Sequence, residues 1–304
     1  MDRQKVLAIV GPTGIGKTSL SVWLAKQLDG EIISCDSMQV YKKMDIGTAK
    51  VTQEEMQGIH HELIDVQNYN EPYNVKVFQE KCRTAIEDVV KRGKFPILCG
   101  GTGLYLKAAL YDYEFQEENE DIAYTTFLNS KTNEELVAML KEKDEKALEK
   151  IHPNNRKRLI RALQICHGGT SKSEQEDKQQ HIPLYDVYFL GLDVNREILH
   201  DRINKRVDIM FENGLVKEAE DLFTNPETWE YTSFQGIGYK EFKDYFLKEK
   251  SIDEVKTAIK THSRQYAKRQ YTWFKNQMPV HWFEAQNRDE IYSAVKEWLM
   301  DEDK

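Results

Sequence analysis

The sequence has few of the features that mark secreted, fibrous or membrane-spanning proteins. Its 304 residues include four cysteines without a CxxC pair, which argues against a disulfide scaffold or zinc ribbon and favours a reducing cytoplasm. No run approaches the roughly 18 apolar residues of a membrane span, and the first residues do not resemble a signal peptide. Sixteen glycines and seven prolines argue against collagen-like and disordered chains. We therefore expect a cytoplasmic globular protein that does not bind membranes.

An excess of positive charge is also absent. Lysine and arginine total 43 against 51 aspartates and glutamates, a net charge of −8. This balance argues against a general polyanion-binding surface, but it allows a local basic face.

Short apolar runs alternate with amphipathic stretches in the first third of the chain. We predict strands at residues 5–10, 31–35, 63–66, 96–99 and 185–192. Helices are predicted at 17–28 and at 75–91, the second with Asn74 as its N-cap and Gly93 as its stop signal. This alternation predicts an α/β fold, a parallel sheet flanked by helices.

A stretch of different character interrupts this pattern. Residues 111–150 are acidic and helical in spacing, and residues 168–180 form a polar run. We predict a helical insertion at 111–183, and a core built from 1–110 and 184–304 with mostly helical C-terminal residues.

The clearest motif is a phosphate-binding loop. GPTGIGKT at residues 11–18 matches G-x-x-x-x-G-K-[ST] and lies between a predicted strand and a predicted helix. Glycines and the helix N-terminus present backbone amides to a phosphate, Lys17 adds a positive charge, and Thr18 offers a hydroxyl to Mg²⁺. The predicted diphosphate-binding residues are Gly11, Pro12, Thr13, Gly14, Ile15, Gly16, Lys17 and Thr18. The motif predicts a P-loop NTPase-like core, but it does not identify the bond that breaks.

Two further strand ends carry polar residues. Asp36 follows the second strand, where a carboxylate faces the ligand crevice of an open α/β sheet and can bind magnesium or accept a proton; a turn cap is the alternative. Thr102, in GGTGLY, can donate a hydroxyl to a phosphate or an amine, and a simple strand–helix turn is its alternative. His60, His61, Glu62 and Asp65 match no standard zinc spacing, so we interpret them as surface or capping residues.

Two basic segments stand out on this acidic chain. RKRLIR at 156–161 carries four positive charges, and residues 255–283 contain no Asp or Glu. Within the second segment cations recur every four residues from Lys256 to Lys268, with aromatic residues between them. Such a pattern suits RNA with exposed bases, but for this segment taken alone a solvated helix face with ordinary core aromatics is the favoured interpretation. Arg202 and Arg206 lie four apart on a predicted helix and are candidates to clamp a diphosphate.

Together these segments resemble the tRNA dimethylallyltransferase family, whose bacterial members isopentenylate an adenine beside the anticodon. The matching segments are GPTGIGKT, SCDSMQVYKKMDIGTAK (34–50), HELID (61–65), GGTGLY (100–105), HPNNRKRLIRAL (152–163), RINKRVDIMFENGLVKEAE (202–220), GIGYKE (236–241) and RQYAKRQYTWF (264–274). They cover most of the chain outside the insertion, and DSMQVYK…DIGTAK is more specific than the phosphate loop.

The resemblance implies transfer of a dimethylallyl group from dimethylallyl diphosphate to N6 of adenine-37 of tRNA, with release of pyrophosphate. It implies Mg²⁺ on Thr18, Asp36 as general base, and Arg206 and Thr102 as further catalytic contacts. It also implies tRNA contacts from two segments, Asp36, Ser37, Met38 and Gln39 in the core and Lys157, Arg158, Leu159, Ile160 and Arg161 in the insertion.

Two positions depart from the family pattern. The family commonly has Gln where this chain has Lys157, which suggests a phosphate contact in place of a contact to a base edge. It often has Gly where this chain has Lys43, a change that costs flexibility in a turn.

Three other functions share some of these features. An adenylate isopentenyltransferase would use a free nucleotide as acceptor, and a P-loop small-molecule kinase would bind ATP and transfer its γ-phosphate. A non-enzymatic RNA-binding protein would need no carboxylate beside its bound base, so Asp36 argues against it. We expect a monomer, because the sequence has no heptad pattern or self-complementary apolar stripe.

Overall fold

Six parallel strands form one sheet in the computed structural model, which describes residues 3–115, 121–174 and 181–301. The strands are β1 (Lys5–Val10), β2 (Gly30–Ser34), β3 (His61–Glu62), β4 (Phe95–Gly100), β5 (Asp186–Asp193) and β6 (His281–Glu284). Their order is β3-β2-β4-β1-β5-β6. The predicted α/β class and parallel sheet are confirmed.

Helices fill the connections between the strands. They are α1 (Lys17–Leu28), α2 (Gln53–Met56), α3 (Val75–Lys91), α4 (Gly103–Leu110), α5 (Ile122–Asn129), α6 (Asn133–Asp144), α7 (Arg156–His167), α8 (Arg196–Glu212), α9 (Leu215–Phe223), α10 (Lys243–Phe246), α11 (Ile252–Gln277) and α12 (Arg288–Met300). In the described part of the chain, four short 3₁₀ helices occupy Glu145–Glu149, Pro226–Glu230, Ser233–Gln235 and Lys240–Phe242. The predicted helices 17–28 and 75–91 are confirmed, and the Asn74 side chain caps α3 by accepting from the Val77 amide at 3.0 Å.

One predicted strand is wrong in placement, and one strand was not predicted. The predicted strand at 63–66 lies at His61–Glu62 instead, because Leu63 and Asp65 have positive φ angles (63° and 55°) that extended strands do not allow. β6 lies in the segment that was predicted to be mostly helical, and it pairs in parallel with β5 from Leu190 onward.

Alternate residues of the central strand face opposite layers of the core. Val6 and Ala8 of β1 pack in one apolar cluster, with Phe78 of α3. Leu7 and Ile9 pack in the other, with helices that include α1 and α12. All four β1 side chains are fully buried, as expected for a parallel strand covered on both faces.

The strand order places a ligand crevice at the end of β1. β1 lies between β4 and β5, with Val10 in register with Gly100 on one side and with Gly191 on the other. The chain leaves β1 through α1 and reaches β2, which lies beyond β4. Ligands of open α/β sheets bind outside the carboxyl ends of strands where the order changes in this way.

The chain divides into two compact units. One unit contains residues 1–111 and 183–304, and the other contains Asp112–Ile182. The boundaries predicted from the sequence lie one residue away from these. Within the described ranges, no helix is long and apolar enough to cross a membrane.

The second unit is a small helical domain with its own core. Helices α5, α6 and α7 bury apolar side chains against one another, including Leu128, Leu140 and Leu159. Arg156 at the start of α7 donates to the carbonyls of Leu128 (3.3 Å) and Asn129 (2.9 Å), so it holds the helices together. Residues 175–180 of the predicted polar loop lie outside the described residues.

Candidate functional site

The phosphate loop connects β1 to α1 through backbone that only glycine adopts easily. Gly14 and Gly16 have φ angles of +81° and +104°. Gly16 precedes α1, and no side chain caps the amides of that helix start. Ile15 is buried and anchors the loop to the core. The free amides and the partial positive charge of the helix make this end a site for an anion.

Lys17 is held inside the loop. Its Nζ donates to the carbonyls of Gly11 (3.0 Å) and Pro12 (2.9 Å). Burial lowers the pKa of Lys17 to about 8; the nearby Cys99 and Asp36 act to raise it, and Arg206 lowers it further. The ammonium is therefore poorly compensated by the protein, which favours an anionic ligand beside it.

Arg206 on α8 reaches the same loop. Its Nη2 donates to the Thr13 hydroxyl at 2.6 Å, and its Nε is buried with no hydrogen-bond partner among the residues the structure describes. Burial lowers the pKa of Arg206, and the charge of Asp36 opposes that shift. Arg206 is thus a desolvated cation with unused donor capacity next to the phosphate loop.

Two cavities meet at these residues. The phosphate-loop cavity, about 330 Å³, is lined by Thr13, Gly14, Gly16, Lys17, Thr18, Asp36, Gln39 and Arg206, among others. The Tyr266 cavity, about 300 Å³, is lined by a second set that includes Ser37, Met38, Gly236, Ile237, Tyr266 and Arg269. Four residues line both cavities: Thr13, Asp36, Thr48 and Arg206. Arg202 is exposed and is not among the lining residues of either cavity, so the structure brings only Arg206 to the predicted diphosphate site.

Asp36 is the carboxylate at this junction. Its Oδ1 accepts from the amides of Met38 (2.8 Å) and Gln39 (3.3 Å), which is the turn cap considered as an alternative. The side chain is nevertheless half-buried and lines both cavities. The cap fixes the carboxylate in place, so the two interpretations are compatible.

The residues after Asp36 form part of both cavity walls. Ser37 and Met38 line the Tyr266 cavity. Gln39 lines the phosphate-loop cavity, and its side-chain Nε2 donates to the Ala49 carbonyl at 3.1 Å. Gly236 lies so close to Met38 that an added Cβ would approach the Met38 Cε to 2.3 Å.

Thr102 lies at the N-cap of α4 without capping it by its side chain. It is half-buried and is not among the residues that line either cavity. Its hydroxyl is close to Tyr266. Burial raises the pKa of Tyr266 to about 12, as does the charge of Asp36, whereas Thr102, Arg269 and Gln270 act to lower it. The structure thus places the Thr102 side chain next to the Tyr266 side chain.

Gln270, which the sequence did not identify as a site residue, joins the two glycine-rich turns. Its side-chain oxygen accepts from the Thr13 amide at 2.8 Å, and its Nε2 donates to the Gly101 carbonyl at 2.9 Å. Gly101 must lack a side chain here, because a Cβ would lie 2.0 Å from that Nε2. The signal in the sequence that could have identified Gln270 is its spacing of four residues from Tyr266, which places both on one face of α11.

Glu218 on α9 also escaped the sequence analysis. Its carboxylate accepts from the amides of Asp45 (2.9 Å), Ile46 (2.9 Å) and Gly47 (2.9 Å), and from the Tyr239 hydroxyl at 2.7 Å. The fully buried Tyr239 ring packs against Gly47, where a Cβ would approach it to 2.5 Å. Glu218 therefore connects two loops that line the Tyr266 cavity.

The predicted RNA-binding segment of the second unit lies on α7. The exposed residues of this segment are Lys157, Arg158 and Arg161. Part of the Arg161 side chain is desolvated, which lowers the pKa of its guanidinium. Ile160 is partly buried. Leu159 is fully buried in the helical core, so the prediction that it contacts RNA is wrong for its side chain.

The basic face predicted on α11 is only partly free. Lys256 and Lys260 both lie 2.7 Å from the Asp208 carboxylate, and Arg264 donates to Asn204 at 2.5 Å. These three cations hold α11 against α8, so their charged groups already have protein partners.

The histidine cluster needs no metal. His60 lies 3.1 Å from Glu62, and Arg92 donates to the carboxylates of Glu31 (2.6 Å) and Glu62 (2.8 Å). The arginine already neutralises these acids, in agreement with the surface interpretation.

Fold and site together define a P-loop α/β protein with an anion cavity, an adjoining second cavity and a shared carboxylate. The family model of IPP transferase matches residues 39–277. The chain therefore belongs to the IPP transferase family.

Relatives of known name agree over nearly the full length. A tRNA dimethylallyltransferase of Bacillus anthracis is 48% identical over 301 residues, 97% of this chain and 96% of that protein. A crystal structure of the full-length tRNA isopentenylpyrophosphate transferase from Bacillus halodurans is 41% identical, with a TM-score of 0.74 over 98% of this chain and 97% of that one. A eukaryotic dimethylallyltransferase acting on tRNA is 32% identical, with a TM-score of 0.82 over 98% of this chain and 78% of that one.

Proposed function

We propose that this protein transfers a dimethylallyl group from dimethylallyl diphosphate to N6 of adenine-37 in tRNA and releases pyrophosphate. The observation that carries the proposal is the position of Asp36 at the junction of the two cavities. One cavity offers an anion site for a diphosphate, and the other offers an aromatic side chain and a carboxylate for a purine.

The diphosphate occupies the phosphate-loop cavity. The loop amides and Lys17 neutralise its charge, and Arg206 adds a donor at the junction. Their effect grows as the allylic C–O bond stretches, because the leaving oxygen becomes more negative and the donors are already in place.

The adenine enters the Tyr266 cavity after it leaves the anticodon-loop stack. The lone pair on N6 forms the new bond to C1 of the dimethylallyl group, and the electron pair of the C1–O bond leaves with pyrophosphate. The N6 proton passes to the Asp36 carboxylate. The adenine amine is a weak nucleophile, so loss of its proton during bond formation lowers the barrier.

Magnesium fits the donor set of the phosphate-loop cavity. The exposed Thr18 hydroxyl and the Asp36 carboxylate both line it, and hard oxygen ligands of this kind, completed by water and phosphate oxygens, suit Mg²⁺. Thr18 would hold the ion, which would neutralise part of the diphosphate charge.

Two segments are proposed to bind the tRNA. Ser37 and Met38 contact the flipped nucleotide in the Tyr266 cavity, and Gln39 contacts it from the adjoining phosphate-loop cavity. The exposed cations of α7 bind phosphates of the anticodon stem-loop. A monomer in the cytoplasm is the form we expect to act.

The test is a transfer assay with radiolabelled dimethylallyl diphosphate and Mg²⁺. We expect label in an anticodon stem-loop that contains adenine-37, with one pyrophosphate released per label, and none in a stem-loop with guanine-37. Label in AMP but not in RNA would identify an adenylate isopentenyltransferase. Transfer of ³²P from γ-labelled ATP to an acceptor would identify a kinase, and RNA binding without any transfer would identify a binding protein.

A further inference from the structure

Thr13 of the phosphate loop is held in place from two sides. Its hydroxyl accepts from Arg206 on α8 at 2.6 Å, and its amide donates to the side-chain oxygen of Gln270 on α11 at 2.8 Å. These partners lie 193 and 257 residues further along the chain. Thr13 also lines both cavities, so the two bonds fix the loop where the cavities meet.

The carboxamide of Gln270 is bonded at both ends. While its oxygen holds the Thr13 amide, its Nε2 donates to the Gly101 carbonyl at 2.9 Å. Gln270 is only 7% exposed, so water has little access to these bonds. The amide has one orientation here, because the reversed one would set a donor against the Thr13 N–H. Gln270 thus sets the spacing between the turn after β1 and the turn after β4.

Gln270 also contacts the wall of the Tyr266 cavity. Burial and the charge of Asp36 raise the pKa of Tyr266, and hydrogen bonding to Gln270 acts in the opposite direction, so the two side chains are neighbours. In the described structure, Gln270 itself is not among the residues that line either cavity. It therefore touches a residue of the acceptor wall and a residue of the donor loop without facing either substrate.

This position matters because the proposed transfer is a displacement at one carbon. N6, C1 and the leaving oxygen must lie in line, and a misplacement of about 1 Å can cost about 10²-fold in rate. The phosphate loop would hold the donor and the Tyr266 cavity the acceptor, so their relative position sets this alignment.

We infer that Gln270 is a positioning residue for the transfer, which keeps the phosphate loop in register with the Tyr266 cavity through its bonds to Thr13 and Gly101. The inference rests on the proposed function, because it concerns the same reaction. Diphosphate binding itself depends on other groups, since Lys17, Arg206 and the amides of the loop do not need Gln270 to carry their charge.

The first test compares two glutamines that are equally buried. Gln270→Met keeps the length of the side chain and removes both bonds. Gln79→Met is the matched control, because Gln79 is also 7% exposed, donates its Nε2 to the Ala108 carbonyl at 2.8 Å and lines neither cavity. Three quantities are measured for each variant: thermal stability, the Kd of dimethylallyl diphosphate, and the single-turnover transfer rate with both substrates saturating.

We expect the transfer rate of Gln270→Met to fall by about 10–100-fold, because the loop and the acceptor cavity lose their alignment. Its donor Kd should stay within about threefold of wild type, since the loss belongs to the chemical step and not to ground-state binding. Gln79→Met should lose stability and keep its transfer rate.

Gln270→Glu is the conservative variant, and it covers the case in which the methionine variant fails to fold. A protonated glutamic acid offers one donor and one acceptor, the same pair as glutamine, whereas the ionised form has no proton for the Gly101 carbonyl. Burial raises the pKa of such a carboxyl group, so the protonated form gains as the pH falls. The rate deficit relative to wild type should therefore shrink from about pH 9 to about pH 6.

Other titrating groups do not disturb this comparison. The charged and titratable groups that line the two cavities nearby are Lys17, Asp36, Arg206, Tyr266 and Arg269, and they are the same in wild type and variant. Their titration cancels in the ratio of the two rates.

Three results would overturn the inference. They are equal rate losses in Gln270→Met and Gln79→Met, a loss of Gln270→Met that lies wholly in donor affinity, and a deficit of Gln270→Glu that stays constant or grows as the pH falls. Failure of the proposed function is a separate result, the absence of label transfer by the wild type.

Discussion

The guanidinium of Arg206 lies 2.6 Å from the hydroxyl of Thr13. This bond brings a cation from the C-terminal part of the chain onto the phosphate loop, 193 residues earlier. We expect Arg206→Met to slow prenyl transfer by about 10²–10³-fold, the usual cost of losing a donor to developing charge. Single-turnover transfer measures the effect.

The same variant should not unfold the protein. Arg206 is half-buried, and its Nε is buried without a hydrogen-bond partner among the described residues. Replacing a poorly compensated, desolvated charge by an apolar side chain is often neutral or stabilising. Thermal denaturation is therefore expected to give a Tm at or above that of the wild type. A clearly lower Tm would show that Arg206 serves the fold.

Asp36→Asn separates the base from the turn cap. Asparagine keeps an oxygen that can accept from the Met38 and Gln39 amides, so the loop should retain its shape. Loss of a general base costs about 10²–10⁴ in rate, and we expect that loss in the chemical step with tRNA affinity almost unchanged. A single-turnover rate within tenfold of wild type would refute the role of Asp36.

Diphosphate binding should weaken at alkaline pH. The pKa of Lys17 in the free protein is about 8, and a bound diphosphate raises it, so binding takes up a proton above pH 8. Affinity is therefore highest below pH 8 and falls as the pH rises through that value. Calorimetric titrations with dimethylallyl diphosphate from pH 7 to 9.5 measure this.

Lys17→Arg is the matched control, because its charge does not titrate in this range. The wild-type profile should fall more steeply than the profile of the variant. Parallel profiles would assign the pH dependence to the ligand.

The α7 cations should affect tRNA binding and leave donor binding intact. Arg158→Ala/Arg161→Ala removes two exposed cations from one helix face, so we expect a weaker Kd for tRNA and a salt slope shallower by about 1–2 units. The control is Arg156→Ala, whose side chain bonds the Leu128 and Asn129 carbonyls. It should lower stability by about 1–3 kcal/mol without changing the slope. Superimposable salt curves for the double variant would exclude this face from the tRNA path.

Lys43 has a φ angle of +67°, where the family pattern often has glycine. A non-glycine residue with this backbone conformation is strained by about 1–2 kcal/mol. Glycine removes the strain, but it loses more conformational entropy on folding, which offsets part of the gain. We expect Lys43→Gly to raise the free energy of unfolding by up to about 1 kcal/mol. Lys42→Gly, at a neighbouring position without positive φ, should lower it by about 0.5–1 kcal/mol. Denaturant titrations compare them, and equal effects would contradict the strain argument.

Local patterns predicted the parts of the fold that depend on neighbours in sequence. The phosphate loop, α1, α3 and the central strands follow from apolar periodicity, a cap and a motif. β3 was misplaced because the φ angles of Leu63 and Asp65 depend on the loop that follows them. β6 was missed because its four residues gain strand structure only by pairing with β5.

In the site, too, the sequence predicted the residues that belong to local motifs and not those that act through distant contacts. Asp36 and Lys17 carry recognisable motifs, and the structure places them at one cavity. Gln270 and Glu218 lie in segments that match the family, but the sequence assigned them no role, since each binds backbone groups that lie more than 160 residues away. The cations of α11 looked alike in sequence, and only the position of Asp208 on α8 distinguishes the paired from the unpaired ones.

The carboxylate of Glu218 couples two loops that are distant in sequence, so we expect them to open together. It binds three successive amides at Asp45, Ile46 and Gly47 and also the hydroxyl of Tyr239, whose ring covers Gly47. Neither loop can move away without breaking bonds that hold the other. In native-state hydrogen exchange, the amides of residues 45–47 should therefore report on the segment around Tyr239. We expect the amides of both segments to exchange with the same opening free energy, through one cooperative fluctuation.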